Sequence, residues 1–185
     1  MTIINRRTSS RPPADPTVTW DRPLRVQFAH GLESGPGSAK AMYFDKRFDA
    51  VTPAMNTSDF EACVTLHADE IAAQEPDVLV GSSFGGAVVL ALLQRGFFVG
   101  PSLLLAPAYR GHGAGDRIPD GLRVLIVHGT RDTVVPIEDS RALAQTGSKG
   151  SVALVEVDDD HMLASLLESD ELAMLVRRTF TLRPG

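Results

Sequence analysis

Asp77-Val78-Leu79-Val80-Gly81-Ser82-Ser83-Phe84-Gly85-Gly86 joins a short apolar run to a segment, Ala87 to Gln94, with the composition of a buried helix. A strand, a sharp glycine-flanked turn with serine at its tip, then a helix is the setting that makes Gly-x-Ser-x-Gly a nucleophile elbow. The reason is steric. The serine is held in a strained turn that lifts its hydroxyl above the sheet. Gly81 and Gly85 leave space where the strand and helix backbones pass close to each other. With 16 glycines in the chain the pentapeptide alone is a weak signal, so the surrounding residues must supply what such a serine needs.

Working outward, Leu24 to Ala29 reads as the first strand, ending in the turn-rich loop His30-Gly31-Leu32-Glu33-Ser34-Gly35-Pro36-Gly37. Ser38 is placed to cap a helix running to about Lys46. Phe48 to Thr52 reads as a strand closed by Pro53. Ser58 is placed to cap a helix to about Gln74, with Phe60, Cys63, Val64, His67 and Ile71 as its apolar stripe. Beyond the elbow, Pro101 to Ala106, Arg123 to Val127 and Val152 to Val157 read as strands. Helices are expected from Pro136 through Gln145 and from Asp170 to Phe180. Strands that alternate with helices and are almost continuously Val, Leu and Ile predict an α/β fold. Its mostly parallel sheet, of about six strands, is covered by helices on both faces.

At 185 residues the chain reads as an N-terminal extension, residues 1–23, and a single domain, residues 24–185. The extension is rich in Arg, Ser, Thr and Pro, which predicts a mobile tail, with Thr17 to Trp20 as a short edge strand. A net charge of −5 without a basic face argues against a nucleic-acid partner. No apolar run approaches the ~20 residues of a membrane span. Arginines near the N-terminus are not followed by an apolar stretch, so a secretory signal is not expected. The lone Cys63 excludes an internal disulfide and suits a reducing compartment; a cytoplasmic location is expected.

A serine hydroxyl needs an adjacent base, itself oriented by a third group. In open α/β sheets such groups gather beyond the carboxyl ends of the strands. Three strand ends carry that chemistry: Ser83, then Asp132 within His128-Gly129-Thr130-Arg131-Asp132, then His161 after Asp158-Asp159-Asp160. Ser…Asp…His is the chain order of α/β-hydrolases. Each piece also has a plainer reading: Asp132 as a turn former beside Arg131, His161 as a surface histidine, Ser82 as a packed turn residue. Asp158–Asp160 reads as a solvated turn that also offers His161 an acidic neighbour. His30, His128 and His67 read as structural histidines and Cys63 as a core thiol. His112 and Asp116 lack a partner at ligand spacing, so no metal is expected. The glycines from Gly111 to Gly115 have no helix after them to complete a dinucleotide fingerprint.

On four pieces in order the chain resembles the small, lidless α/β-hydrolases, and most closely the YqiA-like small esterases. The pieces are His30-Gly31 with Ser34 and Ser38, Gly81–Gly85, His128-Gly-Thr-Arg-Asp132, and His161. The resemblance spans about Leu24 to Phe180. It implies Ser83 as nucleophile, His161 as general base and then acid, and Asp132 as the group orienting the imidazole. It also maps the oxyanion donors onto the backbone N–H groups of Leu32 and Phe84, and implies no cofactor. Glu33, beside Leu32, must then face solvent, since an inward carboxylate would oppose the oxyanion. Pro107 to Gly121 occupies the place where larger relatives insert a lid. At about fifteen residues it is too short to bury an apolar face. An open cleft walled by Leu32, Phe84, Tyr109, Val134 and Met162 is therefore expected.

Such a cleft suits a small-molecule substrate, a short- to medium-chain carboxylic ester or thioester cleaved through an acyl-enzyme. The alternatives are a non-catalytic binding protein on the same fold, or a lactone hydrolase or acyltransferase using the same residues. For an anionic substrate Arg110 or Arg131 is the candidate partner. Acyl group, leaving group and oligomeric state are not encoded in any feature above.

Overall fold

The computed structural model describes residues 22–183, so the strand expected at Thr17 to Trp20 lies outside the described residues. Six strands form one sheet in the order β2-β1-β3-β4-β5-β6, every neighbouring pair parallel. They are β1 (Arg25–Ala29), β2 (Asp49–Val51), β3 (Val78–Ser82), β4 (Ser102–Leu105), β5 (Val124–Gly129) and β6 (Val152–Val157). The helices are α1 (Ala39–Arg47), α2 (Phe60–Gln74), α3 (Phe84–Gln94), α4 (Ile137–Ala144), α5 (Ala164–Glu168) and α6 (Glu171–Arg178).

The alternation of side chains along each strand builds two cores. Val26, Phe28, Val78, Val80, Leu103, Leu105, Leu125 and Val127 meet α1, α5 and α6 on one face. Leu79, Leu104, Val124 and Ile126 meet α2, α3 and α4 on the other. Helix α3 is buried along almost its whole length, from Phe84 through Leu93, which is why its sequence is apolar all round. Burying each of its aliphatic side chains is worth about 1.5–3 kcal/mol, so α3 anchors the turn in front of it.

Helix α1 is capped as expected: Ser38 Oγ accepts from the Ala41 N–H at 3.4 Å. The cap of α2 is Asp59 and not Ser58; Asp59 Oδ1 accepts from Ala62 N at 3.0 Å, while Ser58 Oγ turns to Asn56. The closing helix stops at Arg178 and continues as a 3₁₀ turn, Thr179–Thr181, and the short α5 precedes it. Arg22 donates to both oxygens of the nearly buried Asp77, at 2.7 and 2.8 Å, so that the approach to β1 is clamped onto the loop before β3.

Strand order reverses between β1 and β3, since the chain first adds β2 on one side and then β3 to β6 on the other. In open parallel sheets a crevice forms beyond the strand ends at such a switch point. Here the loops at that position carry His30 to Leu32 and Ser83.

Candidate active site

Ser83 has φ +54° and ψ −118°, a backbone conformation that costs a non-glycine residue about 1–3 kcal/mol and persists only where its surroundings impose it. They do so here. Ser83 N donates to Leu105 O at 2.9 Å, and Ser83 O accepts from Gly86 N at 2.9 Å and Ala108 N at 3.0 Å. A Cβ on Gly81 would lie 2.4 Å from Gly85 O, and one on Gly85 would lie 2.0 Å from Ala29 O. Neither position accepts a side chain without moving backbone. Both glycines are therefore required by close approach, as the motif predicts. Ser82 is the last residue of β3 and is nearly buried, in keeping with a packing role.

Three loops bring Ser83, His161 and Asp132 together. His161 Nε2 lies 3.0 Å from Ser83 Oγ, and His161 Nδ1 lies 2.7 Å from Asp132 Oδ2. A carboxylate only accepts, so Nδ1 carries the hydrogen and Nε2 is left to accept from the serine hydroxyl. The Asp132 side chain has no exposed surface, and that of His161 keeps 16%. Burial alone would raise the Asp132 pKa. The Val135 N–H, His161 and the Val134 N–H outweigh it and hold this carboxyl below its usual range. The two amides reach Oδ1 at 2.8 and 2.9 Å. Asp132 is thus built to stay ionised in a dry position beside an imidazole.

The acidic run before His161 serves the loop and not the ring. Asp158 is exposed and pairs with Arg131. Asp159 is buried and accepts from Ser165 N at 3.0 Å and Ser165 Oγ at 2.6 Å, and Asp160 accepts from Met162 N at 2.8 Å. The β5 end passes close by: a Cβ on Gly129 would lie 2.4 Å from Asp159 O. On the other side Lys40 of α1 donates through Nζ to Met162 O at 2.6 Å. Burial pushes the Lys40 pKa down, with Asp159 and Asp160 opposing the shift. Nothing in the spacing of α1 marks Lys40 as a site residue, because a lysine in a helix ordinarily faces water.

The loop after β1 is fixed by His30, whose Nε2 accepts from Met55 N at 3.1 Å, so Nδ1 carries the hydrogen and donates to Gly31 O at 2.8 Å. A Cβ on Gly31 would lie 3.5 Å from Ser83 Cβ, which puts this loop against the serine. The Leu32 and Phe84 N–H groups have no protein acceptor among the described residues. Phe84 is the first residue of α3, where amide hydrogens point out of the helix and favour negative charge. Glu33 is exposed, as required.

Of the expected walls, Leu32, Val134 and Met162 are exposed at 46%, 67% and 62%, one on each of three loops. Tyr109 does not belong with them. It is buried, and its hydroxyl donates to Asp139 O at 3.2 Å. Its loop folds inward, with Gln94 holding Gly115 and Arg117 and with Ile118 buried, so Tyr109 supports the site from below. Phe84 likewise sends its ring into the core, edge-to-face with Phe60 and His112, and offers the site only its backbone. Arg110 pairs with Asp139 and Arg131 with Asp158. Among the described residues no group of three or more His, Cys, Asp or Glu is placed to hold a metal.

Sheet order, the serine elbow and the short connection in place of a lid define the α/β-hydrolase fold, which this chain has. Solved structures agree. A putative hydrolase of the α/β superfamily from Xanthomonas campestris is 22% identical, covering 86% of this chain and 96% of its own, with a TM-score of 0.65. An α-β serine hydrolase homologue from Coxiella burnetii is 16% identical over 82% and 83% of the two chains, at 0.60. The esterase domain of a Rhodothermus marinus protein is 16% identical over 87% and 86%, at 0.58. No family model and no curated protein matches the chain.

Proposed function

We propose that this protein is a serine hydrolase that cleaves short- to medium-chain carboxylic esters or thioesters through an acyl-enzyme. The observation that carries the reading is the unbroken line from Ser83 Oγ through His161 to Asp132, at 3.0 and 2.7 Å, with the serine on a strained turn. Ser83 Oγ attacks the substrate carbonyl as its proton passes to His161 Nε2. The Asp132 carboxylate stabilises the imidazolium that forms. The tetrahedral oxyanion takes the Leu32 and Phe84 N–H groups, each worth about 3 kcal/mol or more when well aimed. His161 returns the proton to the leaving alkoxide or thiolate, which departs with the electron pair of the broken bond. Water, deprotonated by His161, then releases the acid and restores Ser83.

The apolar rim formed by Leu32, Val134 and Met162 supports an aliphatic acyl group. Arg110 and Arg131, the candidate partners for an anionic substrate, are both paired with carboxylates, which favours an uncharged one. Esterase names among proteins of similar fold agree with this reading. Hydrolysis of p-nitrophenyl acetate and butyrate tests it. Ser83→Ala is expected to lower kcat by at least about 10³-fold with the fold intact. Equal rates above background in the two proteins remove Ser83 from the mechanism.

A further inference from the structure

The candidate triad does not end at Asp132. His128, at the end of β5, has no exposed surface, although Val124, Leu125, Ile126 and Val127 before it are the aliphatic residues such a strand ordinarily carries. Its Nε2 lies 3.1 Å from Asp132 Oδ2 and 3.0 Å from Val135 O, and its Nδ1 lies 2.7 Å from the buried Ser140 Oγ. A carbonyl can only accept, so Nε2 carries the hydrogen and donates it to Val135 O, while Asp132 Oδ2 lies beside the ring without a hydrogen bond to it. In the neutral ring Nδ1 then accepts from the Ser140 hydroxyl, which holds the ring in place.

A carboxylate offers about four lone-pair directions. Oδ1 of Asp132 takes the Val134 and Val135 amides, and Oδ2 takes His161. Three are filled in a place closed to water, and the Val135 peptide links His128 to the carboxylate: its N–H holds Asp132 Oδ1 and its carbonyl accepts from His128. We propose that His128 is a positioning residue: braced by Ser140, it fixes the Val135 peptide, which sets the rotation of the Asp132 carboxylate and thereby the ring plane of His161. The proposal rests on the reading of Ser83 as nucleophile for its kinetic consequence, and on geometry alone for its structural one. Without the His128 N–H, the Val135 carbonyl loses its donor in a buried place, and the turn that holds the Asp132 carboxylate shifts or draws in water.

The test compares His128→Gln, His128→Phe and Ser140→Ala with the wild type. The readouts are kcat and KM for p-nitrophenyl butyrate, thermal melting, and the low-field proton resonance of the His161–Asp132 hydrogen bond. A glutamine amide can place an N–H where Nε2 sits, and phenylalanine fills the space with no donor. The Phe variant is expected to lose about 10- to 100-fold in kcat at unchanged KM and to move the resonance. The Gln variant is expected to recover most of the rate and the original resonance. Ser140→Ala, which removes the partner of Nδ1 and loosens the ring, is expected to fall between them. If the Phe variant does not fold, the other two decide. A Gln variant with its resonance displaced, or Ser140→Ala with rate and resonance both unmoved, overturns the proposal. A folded Phe variant with wild-type kcat and resonance does so as well. A wild type without esterase activity overturns the hydrolase reading instead, and the resonance comparison still decides the role of His128.

Discussion

Ser83 holds φ at +54° because hydrogen bonds and two neighbouring glycines leave it no alternative, and His67 shows a comparable tolerance of local cost away from the site. Its ring is buried between α2 and β1, where Gln27 Nε2 donates to Nδ1 at 2.8 Å and to the His67 carbonyl at 3.0 Å. Nδ1 therefore accepts and Nε2 carries the hydrogen. Neither that Nε2 nor Gln27 Oε1 has a partner among the described residues. Burial, with His30 adding to it, pushes the His67 pKa down from 6.5 to about 4. A base whose pKa is lowered on folding binds fewer protons in the native state, so its neutral form favours the fold above pH 6.5. That contribution is lost as pH falls towards 4, amounting to about 3 kcal/mol across the interval. Urea unfolding at pH 7 and pH 5 is expected to show this loss, and His67→Gln is expected to reduce the difference between the two pH values. An equal pH dependence in both proteins would show that His67 is not its source.

At the scale of elements, α1 and the loop after β6 are joined by one buried contact, Lys40 Nζ to Met162 O. The contact ties the helix that follows the proposed oxyanion loop to the loop that carries His161. Lys40→Met keeps the stem and removes the donor. It is expected to speed amide hydrogen exchange over residues 158–163 and to lower kcat. Melting temperature should change little, because exchanging a buried charge for an apolar side chain of similar size is often neutral. Unchanged exchange over that loop would contradict the tether. The two connections differ in how far the sequence foretells them. The elbow was legible because its glycines answer a local steric demand. Strands β3 to β6 were legible because parallel strands buried on both faces must be apolar throughout. The adjacent capping residues Ser58 and Asp59 could not be separated by pattern, since either satisfies the same amides. α5 is too short to show a period. Tyr109 was misplaced because nothing in Pro107 to Gly121 announces that Gln94 and Asp139 draw the loop inward. Lys40 and the His128–Ser140 pair depend on contacts between residues distant in sequence, or between a strand end and the helix after it. Composition does not encode these.

At the scale of the whole molecule, a single topological fact organises the site. Strand order reverses between β1 and β3, and the loops beyond those strands meet where Gly31 lies against Ser83. β5 and β6, two and three strands further along, deliver Asp132 and His161 to the same end. Among the described residues no helix is long and apolar enough to cross a membrane. The account as a whole turns on one atom, Ser83 Oγ, being a nucleophile activated by His161. Incubation with a fluorophosphonate, followed by peptide mapping by mass spectrometry, tests this most directly. One adduct per chain is expected, located on Ser83 and absent from both Ser83→Ala and His161→Ala. Folded wild-type protein that remains unlabelled, or that is labelled equally well in Ser83→Ala, would contradict it.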